Sequence, residues 1–148
     1  MIIVDTGFWI SLFNDKDQYH QRAKKTLAKY SSEPLVTTWS VLTESCHLLL
    51  QRSITKQKGV EKQVQLINLF DQYPEMFKIS NISEHHFPKM KKLMKKYANL
   101  PMDLADASLI VLVEDLGDGR ILSVDNRDFN AYRWKQTYPF TNLFFDYE

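Results

Sequence analysis

Met1-Ile2-Ile3-Val4-Asp5-Thr6-Gly7 opens the chain, and its reading decides the fold. The apolar side chains run without alternation and then stop at a carboxylate. Such a run suits a strand covered on both faces, because a half-exposed strand would alternate apolar with polar residues. The chain thus starts in the core of a sheet, with Asp5 where the strand leaves it. In open α/β sheets, ligands bind outside the carboxyl ends of the strands. Three other acids are placed by the sequence to reach that edge: Glu44, Asp106 and Asp125.

Outward from this strand, helical and extended patterns alternate. Residues 8–13 read as a short apolar helix capped by Asp5 or Thr6. A second helix covers about 17–30 with Asp17 as its cap, and Leu35-Val36-Thr37-Thr38 reads as a strand. Helices follow at about 40–52 and 58–71, the latter with apolar residues at Val64, Ile67 and Phe70; Met76-Phe77-Lys78-Ile79 reads as the third strand. Residues 83–97 form an amphipathic helix in which Met90, Leu93, Met94 and Tyr97 share one face. Residues 103–116 are apolar nearly all round, which marks a buried helix, and Gly117 ends it. Ile121-Leu122-Ser123-Val124 reads as the fourth strand, closed by an Asp125-Asn126-Arg127-Asp128 turn, and Leu143-Phe144-Phe145 as a short last one. Strands separated by helices imply right-handed crossovers and a mainly parallel sheet, the α/β class.

The bulk numbers set bounds. A length of 148 residues favours a single domain over 1–148, and an apolar fraction of 44% is enough for a core. With 19 basic and 18 acidic residues, overall charge predicts no partner, so any nucleic-acid surface must be a local patch. Cys46 is the only cysteine, which excludes an intramolecular disulfide and fits a reducing cytosol. The apolar start is too short for a signal peptide or a membrane span.

Each acid has an ordinary structural account. Asp5 suits an N-cap. Glu44 lies three residues after Val41 and four before Leu48, at the border of an apolar stripe, where a carboxylate needs a counter-ion. Asp103 and Asp106 have the spacing of a capping box, with Asp103 the natural cap. Asp125 and Asp128 suit a turn closed by carboxylate-to-backbone bonds. Coincidence favours a site: Asp5 and Asp125 leave buried strands at one sheet edge, and Asp106 starts a helix there. Crowded carboxylates raise one another's pKa, and a hard divalent cation removes that penalty; oxygen ligands suit Mg²⁺ or Mn²⁺. No zinc-like Cys/His spacing, Walker loop, G-x-G-x-x-G or G-x-S-x-G is present.

Val4-Asp5-Thr6 after an opening strand, Glu44 on a helix, Met102-Asp103-Leu104-Ala105-Asp106-Ala107-Ser108-Leu109 and Ser123-Val124-Asp125-Asn126-Arg127-Asp128-Phe129 together resemble the PIN domain. Within it the chain is most similar to the VapC-type ribonuclease toxins of prokaryotic toxin–antitoxin systems. The resemblance covers nearly the whole chain, and its specific parts are the stretches around Asp106 and Asp125. It implies a three-layer α/β/α sandwich with strand one central. Asp5, Glu44, Asp106 and Asp125 match the acidic metal-binding positions, Asp103 and Asp128 variable accessory acids, and Thr6 and Ser123 hydroxyl positions beside them. Gly7 is a departure, since many members carry Ser or Asn there.

The implied reaction is Mg²⁺- or Mn²⁺-dependent hydrolysis of RNA, leaving 5′-phosphate and 3′-hydroxyl ends. The implied partners are RNA, a small antitoxin and a second copy of the chain, in the cytoplasm and without a membrane. Arg127, beside the acids, is the best-placed phosphate contact. Lys89, Lys91, Lys92, Lys95 and Lys96, or Arg22, Lys24, Lys25 and Lys29, offer further cationic surface, although a solvated helix face is the usual meaning of such a run. Trp9, Trp39 and Trp134 suit a core or an interface. Leu66, Leu69, Phe70, Phe140 and Phe144 suggest exposed apolar surface for partners. The alternative function is a PIN-like module that binds RNA or protein without cutting. A DNA flap nuclease would want a larger chain.

Overall fold

The structure, a computed structural model, describes residues 1–145. Strand β1 (Ile2–Val4) has no solvent exposure at any of its three residues, as its unbroken apolar run requires. It leads through Asp5 into α1 (Thr6–Phe13) and α2 (His20–Lys29), then β2 (Leu35–Thr38). Helices α3 (Trp39–Arg52) and α4 (Lys56–Gln72) precede β3 (Phe77–Ser80). A 3₁₀ turn at Glu84–His86, α5 (Phe87–Lys96) and α6 (Leu104–Leu116) lead to β4 (Arg120–Leu122) and α7 (Asn126–Ala131). A hairpin of β5 (Arg133–Trp134) and β6 (Tyr138–Pro139) is followed by β7 (Thr141–Asn142) and a 3₁₀ turn at Leu143–Phe145.

Among the described residues, five strands form a wholly parallel sheet in the order β3-β2-β1-β4-β7, with β1 in the centre. Right-handed crossovers place α1 to α4 on one face while the chain steps from β1 to β3. The return from β3 to β4 places α5 and α6 on the other face. The result is an α/β/α sandwich in which every strand ends, and the helices α1, α3 and α7 begin, at one edge.

Packing explains where the elements depart from sequence expectation. The predicted helix over 83–97 divides at Phe87 because Pro88 fits the first turn of α5 and offers no N–H to a continuous helix. The second helix starts at His20 rather than Asp17, whose carboxylate instead accepts from Tyr19 N and Ser11 Oγ. Leu143-Phe144-Phe145 is a 3₁₀ turn and not a strand; β7 lies just before it. There Phe144 turns inward, edge-on to Phe8 at 5.8 Å, while Arg22 Nε donates to its carbonyl.

The proposed exposed apolar set is also corrected. Leu66, Phe140 and Phe144 are buried, and Leu69 and Phe70 pack on the core, Phe70 edge-on to Trp9 at 5.5 Å. Gly59 lets α4 approach α3 closely, a Cβ there falling 2.9 Å from Leu50 Cα, while Val60, Val64 and Ile67 on the same helix are exposed. Trp9 is fully buried, Trp134 is half-buried on β5 and Trp39 is exposed.

An acidic candidate site at the carboxyl edge of the sheet

Asp5 leaves β1 and caps α1, its Oδ1 accepting from Thr6 N at 2.7 Å. Its Oδ2 accepts from Ser123 Oγ at 3.0 Å. Ser123 follows β4, and the same Oγ accepts from Asp125 N at 3.0 Å, so one hydroxyl joins the exits of two adjacent strands. Asn142 holds Ser123 from β7: its Nδ2 donates to Ser123 O at 2.8 Å, and its Oδ1 accepts from Ser123 N at 3.2 Å. Asp125 caps α7, accepting from Asp128 N, so the expected turn is the start of a helix.

The other wall of the site is built from β2 and α6. Thr37 Oγ1 donates to Val4 O, tying the end of β2 to β1. Thr38 caps α3 and its hydroxyl meets Ser108 Oγ at 2.7 Å, which fixes the start of α3 against the start of α6. Glu44 is half-buried on α3, Asp103 caps α6, and Asp106 occupies the third helical position, its N–H donating to Asp103 Oδ1 at 2.9 Å. Three helix N-termini, of α1, α6 and α7, therefore face the acids and favour negative charge there.

That help does not offset burial. Burial pushes the Asp5 carboxyl up to about 6, with the charges of Glu44 and Asp125 adding to it. Burial, then the negative charge of Asp5, pushes Asp106 up to about 8. Burial and Asp103 raise Glu44; burial and the shared hydrogen bond with Asp128 raise Asp125. Among the described residues no Lys or Arg pairs with Asp5, Glu44, Asp106 or Asp125. Arg127 is exposed, reaches Asp128 at 3.3 Å and lowers Asp125 only slightly against the opposing causes.

The structure thus brings Asp5, Glu44, Asp106 and Asp125 into one electrostatic cluster, with Asp103 and Asp128 at its rim. Thr6 lies beside it, and its buried Oγ1 has no hydrogen-bond partner among the described residues. Among the described residues no three such side chains stand close enough to grip an ion unaided. The donor set, hard oxygens carrying uncompensated charge, fits a hard divalent cation. Gly7 has a packing reason: a Cβ there would lie 2.1 Å from Val124 Cγ2, so a seryl or asparaginyl side chain cannot stand beside Val124 as it is placed.

Sequence reasoning missed Tyr132. Its hydroxyl lies 3.2 Å from Asp106 Oδ2 and 3.4 Å from Leu100 O, and burial followed by the Asp106 charge pushes the phenol up. The available signal was Phe129 three residues before it on α7. Asn142, Thr38 and Ser108 carry no local signal.

The model of the PIN domain family matches residues 2–135. The chain belongs to the PIN domain family. The crystal structure of VapC20 of Mycobacterium tuberculosis, described as a toxin that cleaves the sarcin-ricin loop, superposes on this PIN domain with a TM-score of 0.78. It is 21% identical, and the match covers 94% of this chain and 100% of VapC20. No curated protein matches this chain significantly.

Proposed function

We propose that this PIN-domain chain is a metal-dependent endoribonuclease, the toxin of a toxin–antitoxin pair, acting in the cytosol. The observation that carries the reading is the pair of raised carboxyls, buried Asp5 and half-buried Asp106, with no Lys or Arg paired to either among the described residues at the carboxyl edge of a parallel sheet. The likeness to a toxin that cleaves RNA supports the substrate class. Asp5, Glu44, Asp106 and Asp125 would hold Mg²⁺ or Mn²⁺, with Asp103 and Asp128 as accessory acids. Such an ion, when bound, lowers the pKa of a water and neutralises phosphate charge.

The chain's own residues do the rest. Ser123 and Thr6 N hold both oxygens of Asp5, so the carboxylate keeps one orientation. Tyr132 fixes Asp106, and the helix N-termini add positive potential where the phosphate would lie. Arg127 is free enough on α7 to meet a phosphate oxygen. Exposed Val60, Val64 and Ile67 on α4 support association with a second copy or an antitoxin. No helix among the described residues is long and apolar enough to cross a membrane.

The test is RNA cleavage with Mg²⁺ or Mn²⁺ against excess EDTA, for the wild type and Asp106→Asn. Cleavage only with metal, lost in the variant, is the expected result. RNA binding with no cleavage under either metal would replace this reading by that of a non-cleaving PIN-like module.

A further inference from the structure

Beside the acidic site runs a second, oppositely charged groove. It is a cleft of about 360 Å³ between α5, α6 and the β5–β6 hairpin. Lys89, Lys92 and Lys96 line it from α5, Arg133 from β5, and Leu93 forms part of its floor. Its one acid, Glu114 on α6, is already engaged: it pairs with Lys89 at 3.2 Å and accepts from Lys135 N. No carboxylate pairs with Lys92, Lys96 or Arg133 among the described residues. Arg133 is instead held in place by the backbone, its Nη1 donating to the carbonyls of Asn130 and Tyr132. Lys91 and Lys95 extend the charge over the outer face of α5. In a chain with 19 basic and 18 acidic residues, this concentration of cations is local.

The groove and the acids are joined by two tyrosines. Tyr97, at the end of α5, packs edge-on to Tyr132 at 4.9 Å, and its hydroxyl accepts from Arg133 N at 3.0 Å. Tyr132 in turn reaches Asp106. Because α5 and α6 run antiparallel, Lys96 lies at the Asp106 end of the cleft and Lys89 at the far end. From Lys89 to Lys96 the helix rises about 10 Å, enough to meet more than one phosphate of a strand.

We infer that the α5–α6–hairpin cleft is a docking site for the phosphate backbone of RNA, which guides the strand toward the acidic centre. This rests on the ribonuclease reading for its choice of ligand. Unpaired cations spaced along a groove bind phosphates without reading bases, so the site contributes affinity and direction rather than sequence preference. An acidic protein segment is the competing occupant and is an outcome of the test.

The experiment measures binding of a fluorescein-labelled oligouridylate in EDTA over a range of salt, separately from cleavage. Lys92→Ala/Lys96→Ala/Arg133→Ala should bind about tenfold or more weakly at physiological salt. Its log–log salt slope should fall by about 2, since each single-strand phosphate contact contributes about 0.7. The equal-charge control Lys56→Ala/Lys58→Ala/Lys62→Ala, on α4 across the sheet, should bind as the wild type does. Should the triple variant fail to fold, lysine acylation of the wild type decides: RNA should protect Lys92 and Lys96 but not Lys56 or Lys58. Unchanged affinity and slope, no protection, or protection of Lys92 and Lys96 by polyglutamate but not by RNA would overturn the proposal. Wild-type binding lost in the triple variant, with no RNA cleaved under any metal, would keep this groove and sink the ribonuclease reading instead.

Discussion

Asp106→Asn separates a strained site from a merely acidic helix start. Asp106 ionises near pH 8 in the folded chain, after Asp5 has already done so near pH 6, whereas an ordinary aspartate ionises at 3.8. A carboxyl raised in this way adds stability below pH 4 relative to higher pH, and that stability is lost as pH rises toward 8. At pH 7 the unfolded Asp106 is ionised, so keeping it folded costs about 1.4 kcal/mol for each pH unit above 3.8, roughly 4 kcal/mol. Screening by solvent at this half-buried position brings that to about 2 kcal/mol. Asparagine fills the same volume, carries no charge at any pH, and its oxygen accepts from Tyr132 as the carboxylate does. In EDTA, therefore, Asp106→Asn should be more stable than the wild type at pH 7 by about 2 kcal/mol, with the gain absent at pH 4. Urea denaturation at the two pH values reads this directly. Adding Mg²⁺ should then stabilise the wild type, by about 2.7 kcal/mol at a hundredfold excess over Kd, and the variant much less. A variant less stable than the wild type in EDTA at pH 7, or one stabilised equally by Mg²⁺, would refute the account of repulsion relieved by a cation.

Other perturbations test the supporting residues. Asp103→Ser should keep most activity, because serine caps α6 as well, while Asp103→Ala should lower stability by about 1 kcal/mol in thermal or urea unfolding. Equal loss of cleavage at Asp103 and Asp106 would place both on the metal. Ser123→Ala removes the hydroxyl shared by Asp5 and Asp125 and should weaken apparent Mg²⁺ affinity about 10–100-fold in a metal titration of cleavage. Gly7→Ala should cost about 1–3 kcal/mol in urea unfolding, through overpacking against Val124.

Legibility in the sequence followed the range of the interaction. β1 and α6 were readable because their apolar runs are long enough, for their element type, to admit one reading; Ile2, Ile3, Val4 and Ile110 are fully buried. Asp103 was readable as a cap because its partner, the N–H of Asp106, is three residues away. The hairpin β5–β6 and strand β7 have two residues each, too few to show any period. Asp125-Asn126-Arg127-Asp128 reads as a turn in the sequence because the caps of turns and helices use the same side chains. The partners that aim the acids, Tyr132 and Asn142, make contacts 26 and 19 residues away in the chain, which no local pattern records.

The two edges of the same sheet show why the acids at the carboxyl end ask for a cation. At the amino edge, Arg120 at the start of β4 donates to both oxygens of Glu33 and of Asp118, with the Met1 amino group 3.7 Å from Glu33. Those hydrogen bonds hold both carboxyls below the ordinary range. This is how the chain treats acids whose role is structural: it supplies the positive partner itself. At the carboxyl edge it supplies three helix N-termini, a serine, a threonine and a tyrosine, but among the described residues no Lys or Arg paired with any of the four acids, and the carboxyls rise instead. Helix ends carry only about half a charge each and act within one turn. Four acids held this way remain short of neutrality, which favours a positive group from outside the described residues. In the proposed reaction a divalent ion would supply that charge; a basic side chain of a partner would supply it at rest, and would have to leave before the ion could enter.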